Sequence, residues 1–106
     1  MSCRVRACAL ADLDPDGGLL RFDSNGRSIA IVRLGDKVYA LGDRCSHADV
    51  SLSEGEVDSD ECALECPKHG SLFSLETGEP LSLPAVKPVT TYDVTIEGDD
   101  VLVVLS

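Results

Sequence analysis

Four side chains stand out as able to do chemistry together: Cys45, His47, Cys66 and His69. They form two short motifs, Cys45-Ser46-His47 and Cys66-Pro67-Lys68-His69, and the chain has no other histidine. Thiolate sulfur and neutral imidazole nitrogen are the donors that zinc and iron accept, so two such loops facing each other can hold a metal centre.

Four mixed ligands suit either tetrahedral zinc or an iron–sulfur cluster. Structural zinc usually draws a ligand pair from one knuckle, as in C-x-x-C or H-x-x-x-H. Here each pair is one Cys and one His, and the first has a single intervening residue. Two metals explain that symmetry better. One iron takes a cysteine from each loop and the other a histidine from each loop, the two-Cys, two-His arrangement of a Rieske [2Fe-2S] centre. Zinc remains the alternative, and would make the chain a structural module that binds a protein.

The elements that must position these loops read as all-β. Short β-rich runs are separated by turn residues at close spacing. Cys3 to Leu10 can open a sheet. Asp12 to Gly18 reads as a loop, Leu19 to Phe22 as a strand, and Ser24-Asn25-Gly26 as a turn. Ser28 to Leu34 and Lys37 to Leu41 flank Gly35-Asp36, a two-residue hairpin signal that would deliver the first motif. Cys62 to Leu64 and Ser71 to Leu75 bracket the second. Thr91 to Glu97 alternates as one strand, and the turn Gly98-Asp99-Asp100 leads into Val101 to Leu105. Pro84 and Pro88 bracket a segment that cannot be a central strand. No run has a sustained helical period. These runs predict a single domain over residues 1–106, with small antiparallel sheets and an insert from about 42 to 75 that carries both motifs.

With those residues in view, the chain resembles the Rieske family. Cys45-Ser46-His47 and Cys66-Pro67-Lys68-His69-Gly70-Ser71-Leu72-Phe73 are similar to its paired motif. So are Val38-Tyr39-Ala40-Leu41 before the first loop, and Thr77-Gly78-Glu79 and Pro84 to Pro88 after the second. The likeness runs over nearly the whole chain. It implies a Rieske-like fold of three stacked antiparallel sheets, with one [2Fe-2S] cluster at the tip of a two-loop subdomain. It also implies that Cys45 and Cys66 ligate one iron, and His47 and His69 the other.

The subclass follows from what surrounds the motifs. Rieske subunits of respiratory complexes have a disulfide between the loops, but the matching positions here are Val50 and Lys68. They also have a tyrosine where this chain has Phe73, so no phenol favours the reduced state. Ser71 can still donate a hydrogen bond to a bridging sulfide. Between His47 and Cys66 lie Asp49, Glu54, Glu56, Asp58, Asp60, Glu61 and Glu65, with no Lys or Arg. Negative charge disfavours uptake of an electron, which places the potential at the low end of the Rieske range, about −150 mV. Each ligating histidine keeps a second ring N–H, so the potential is expected to fall as pH rises through the oxidised histidines' titration.

The rest of the composition narrows the function. The net charge is −10, from 19 acidic and 9 basic residues. A nucleic-acid partner would need a basic footprint, and an anionic membrane would repel the chain. No apolar run approaches the roughly 20 residues of a membrane span, and the N-terminus lacks a signal h-region, so a cytoplasmic monomer is expected. Five cysteines, an odd number, argue against a disulfide framework. Cys3, Cys8 and Cys62 read as small buried hydrophobes. The resemblance therefore implies a soluble one-electron carrier. It would take electrons from a flavoprotein ferredoxin reductase and pass them to a terminal oxygenase; cluster assembly or another redox system is the alternative. An oxygenase catalytic subunit is excluded: its mononuclear iron needs two further histidines.

Overall fold

The computed structural model describes residues 3–24, 26–43, 51–67, 70–81 and 88–105. They form ten strands in three antiparallel sheets, with no α-helix among them. In chain order the strands are β1 (Cys3–Ala9), β2 (Asp16–Ser24), β3 (Arg27–Leu34), β4 (Lys37–Gly42), β5 (Glu56–Asp58), β6 (Ala63–Glu65), β7 (Leu72–Ser74), β8 (Thr91–Tyr92), β9 (Val94–Glu97) and β10 (Asp100–Leu105). The sheets run β1-β10-β9, β2-β3-β4-β8 and β5-β6-β7.

Strand β3 explains how the layers stack. Successive side chains of a strand point to opposite faces, yet Ile29, Ala30, Ile31 and Val32 are all fully buried. Both faces of the four-stranded sheet are therefore covered. Ile29 and Ile31 pack with Cys8, Leu13, Ala40, Val101 and Val103 on the side of the β1-β10-β9 sheet. Ala30 and Val32 pack with Leu41, Leu52, Leu64, Cys66, Phe73, Leu75 and Val89 on the side of the β5-β6-β7 sheet. The four-stranded sheet is the middle layer, and the second of these clusters is a floor that contains Cys66 of the second motif and Leu52, just past the first.

The all-β reading holds, with differences at three places. Part of the segment read as a loop at Asp12 to Gly18 is strand: β2 begins at Asp16. Gly17, at φ +105°, lets it start early through a bulge between Asp16 and Gly18. A short strand, β5, lies within the acidic run, where charges at Glu56 and Asp58 hide it from a hydrophobic pattern. Thr91 to Glu97 is not one strand. Tyr92 pairs with Ala40 in the middle sheet, whereas Val94 pairs with Val103 in an outer one, so the chain changes sheets at Asp93. The alternation Tyr92, Val94, Ile96 survives that step, which is why sequence could not detect it. The Gly35-Asp36 hairpin is as expected, with Leu34 paired to Lys37.

Candidate metal centre

The second motif sits on the β6–β7 hairpin. Leu64 pairs with Phe73 and Glu65 with Leu72, and Leu64 and Phe73 are fully buried. Beyond the last strand pair, the Cys66 N–H donates to the Ser71 carbonyl at 2.7 Å. The Gly70 N–H then donates back to the Cys66 carbonyl at 3.0 Å, with Gly70 at φ +71°. A left-handed residue is what this reversal requires, and glycine takes it without steric cost. The Cys66 thiol is buried, is in no disulfide, and belongs to the apolar floor with Phe73. Ser71 is also fully buried. Lys68 and His69 lie outside the described residues, between exposed Pro67 and exposed Gly70 in sequence.

The first motif follows β4, and its neck is closely tied. Gly42 N–H donates to the Thr90 carbonyl at 2.7 Å and Asp43 N–H to the Ser28 carbonyl at 2.9 Å. Where the chain returns, Leu52 N–H donates to the Asp43 carbonyl, and Ser53 N–H donates to the Asp43 carboxylate at 2.8 Å. Residues 44–50, with Cys45, His47 and Val50, lie outside the described residues, as does the Ser82 to Lys87 part of the Pro84–Pro88 segment. The downstream end of that segment is held in place: Val89 is buried in the floor, and its N–H donates to the Gly78 carbonyl at 2.8 Å.

The bases of the two loops meet. Leu52, where the first loop returns, shares the floor with Leu64, Cys66 and Phe73. The backbone at Gly55 lies against the Glu65 carbonyl, where any Cβ would overlap it. The expected delivery of both motifs to one place, from the end of β4 and from the β6–β7 hairpin, is thus met at their bases. The donor set suits a two-iron cluster: a buried sulfur donor stands on an apolar floor, with the other motif's neck beside it. Among the described residues no three His, Cys, Asp or Glu side chains gather as a metal site; three of the four expected ligands lie outside them.

Sequence reading missed Asp43, Arg21 and Gly55. Asp43 is buried, which nothing in its sequence neighbourhood signals. Sequence reading also missed the partner of Cys62. That cysteine is half-buried at φ +51°, and its side chain hydrogen-bonds with Tyr39. Burial, first, and then Cys62 push the Tyr39 hydroxyl up to about 12. Cys8 is buried as expected, and burial pushes its thiol up. Charge is concentrated on the motif-bearing part: ten of the 19 acidic residues lie from Asp43 to Glu79, with Arg44 and Lys68 the cations of that stretch. Glu54, Glu56, Asp60 and Glu61 are exposed.

Three stacked sheets, with the bases of two Cys–His motifs meeting on one floor, define a Rieske protein, and residues 3–93 match the Rieske [2Fe-2S] domain family, to which this chain belongs. It is a ferredoxin, an electron-transfer component and not a catalytic subunit, with one Rieske-type [2Fe-2S] cluster as its cofactor. It is 45% identical over 100 residues, 94% of its length and 92% of the relative's, to the 3-phenylpropionate/cinnamic acid dioxygenase ferredoxin subunit of Shigella boydii serotype 4 (strain Sb227). Among solved structures it is similar to the ferredoxin of carbazole 1,9a-dioxygenase from Nocardioides aromaticivorans IC177. There the TM-score is 0.91 at 41% identity, covering 94% of this chain and 95% of that one. It is also similar, with a TM-score of 0.86 at 37% identity, to a chain in the complex of reduced oxygenase and oxidized ferredoxin in carbazole 1,9a-dioxygenase, covering 94% and 91% of the two chains. The zinc reading falls with the family assignment.

Proposed function

We propose that this chain carries single electrons from a flavoprotein ferredoxin reductase to the terminal oxygenase of a dioxygenase system. In this reading Cys45 and Cys66 hold one iron, and His47 and His69 the other. When bound, the cluster takes up and releases one electron. The protein's residues hold it at the end of the molecule, keep an apolar floor of Leu52, Leu64 and Phe73 beneath it, and surround it with negative charge. Ser71 and Phe73 tune it: Ser71 from its buried place beside Cys66, and Phe73 by withholding a hydroxyl. The observation that carries the reading is the meeting of the two loop bases over one floor that contains Cys66. The partners follow from likeness over nearly the full length to ferredoxins of dioxygenase systems, one of them in complex with its oxygenase.

We also propose that the protein works in the cytoplasm as a monomer. Among the described residues no helix is long and apolar enough to cross a membrane.

The test is anaerobic reconstitution followed by reduction. A coloured protein is expected, with a reduced-state EPR signal whose average g value lies below that of the free electron. Reoxidation on mixing with a dioxygenase terminal component, and not with buffer, checks the acceptor. Substituting any one of Cys45, His47, Cys66 or His69 by Ala should abolish that signal. A full signal in any of these variants would remove that residue from the ligand set.

A further inference from the structure

Among the described residues the buried acid is Asp43, at 1% exposure. Taking a carboxylate out of water is costly unless donors replace the lost hydration. Ser53 N–H does so by donating to Oδ1 at 2.8 Å. The Arg21 guanidinium adds an opposite charge, its Nε 3.6 Å from Oδ2 while it donates to Asp23 Oδ1 at 3.3 Å. Arg21 belongs to β2 in the middle sheet, yet it also donates to the Ser51 hydroxyl at 3.4 Å and the Ser28 hydroxyl at 3.1 Å. Asp43 precedes the first motif loop and Ser51 follows it. One guanidinium therefore reaches both ends of the loop.

A neutral Asn at position 43 could also accept the Ser53 N–H, though more weakly than a carboxylate. The full charge matters most opposite Arg21, the cation beside Oδ2. Lysine at position 21 would meet an acceptor as a point charge, whereas the planar arginine fork can meet several at once. Pinning the ends of a loop also removes closure entropy that would otherwise oppose gathering its ligands.

We propose that Arg21 and Asp43 are positioning residues that clamp the neck of the first cluster loop, and that retention of the cluster depends on the clamp. This rests on the reading that Cys45 and His47 are ligands. Neither Arg21 nor Asp43 belongs to the ligand set; both act through the loop.

The test uses cluster-loaded Arg21→Ala, Arg21→Lys, Asp43→Asn and the double variant Arg21→Ala/Asp43→Asn. Arg6→Ala serves as a control that removes a surface pair in the β1-β10-β9 sheet. The rate at which an iron chelator bleaches the visible absorption is measured for each. Arg21→Ala and Asp43→Asn should bleach roughly tenfold faster than wild type, the loss typical when a group that orients metal ligands is removed. Arg21→Lys should recover part of the difference. The double variant should be no worse than Arg21→Ala, because Asp43→Asn removes only the ion pair that Arg21→Ala has already broken. Arg6→Ala should match wild type. Wild-type rates in Arg21→Ala, additive losses in the double variant, or Arg21→Lys no better than Arg21→Ala would overturn the clamp. A wild-type protein without the two-iron EPR signal would instead refute the ligand reading.

Discussion

The backbone of Gly55 lies against the carbonyl of Glu65, so closely that a side chain at Gly55 would overlap that oxygen and approach the Leu52 carbonyl to 3.2 Å. This contact joins the return of the first motif loop to the start of the second. Gly55→Ala must push the two segments apart. Overpacking of this kind typically costs about 1–3 kcal/mol, and a backbone neighbour yields less than a side chain, so about 3 kcal/mol is expected. Denaturant unfolding of the apoprotein reads that loss, and iron content reads the separation of the loop bases. Unchanged stability would mean that the two segments are not in contact.

Phe73 is buried in the same apolar cluster as Cys66. Phe73→Tyr places a phenol there, and a hydrogen bond from it to a ligand sulfur would favour the reduced state. A net hydrogen bond of ~1 kcal/mol corresponds to about 40 mV for a one-electron couple. The potential should therefore rise by about that much in Phe73→Tyr. It should fall by a similar amount in Ser71→Ala. Redox titration followed by EPR checks the order, with Phe73→Tyr above wild type and Ser71→Ala below it.

The Tyr39 hydroxyl, half-buried and hydrogen-bonded with Cys62, is raised from 10 to about 12. A group raised by folding contributes stability that is fully present below its unfolded value and is lost as pH rises through its folded value. The alkaline loss should therefore fall between about pH 10 and pH 12. Phenolate absorbance in a Tyr92→Phe background follows Tyr39 alone. Adding Cys62→Ala should bring that titration down, because it removes the second and third causes of the shift.

Burial, chiefly, and then Asp12 raise the Cys8 thiol, with Arg6 opposing. The thiolate is the reactive form, so Cys8 should alkylate only when the protein unfolds. Cys62, which is half-buried, should react first in the native apoprotein. Peptide mapping after a timed alkylation separates the two. Early labelling of Cys8 would show that β1 opens locally.

The chemistry was more legible in the sequence than the support beneath it. The Cys–His pairs could be read because their residue types and spacing state a ligand set without reference to the fold. Gly35-Asp36 could be read because a two-residue turn is local. Asp43 and Arg21 could not: each is an ordinary polar residue, and only the pairing of β2 with β3 and of β3 with β4 brings them together across the chain. Gly55 was silent for the same reason, since its necessity comes from Glu65, ten residues on. The break at Asp93 was invisible because a strand that changes sheets can keep its alternation. The reading of Cys8 as buried held, because its neighbours in β1 carry the pattern; Cys62 reads the same in sequence, but its left-handed backbone sets it half-buried beside Tyr39.

Among the described residues strand β1 pairs only with β10, from Cys3 against Leu105 to Ala9 against Asp100. During synthesis β1 must wait for β10. Strands β5 to β7 have no such delay, because each pairs with its neighbour in sequence. Contacts close in sequence form sooner than those between distant segments. The loop-bearing hairpins can therefore take shape on the nascent chain while one outer layer is still missing. The layer that carries the motif bases is thus the local part of the fold, and the outer layer is closed by its most distant pairing.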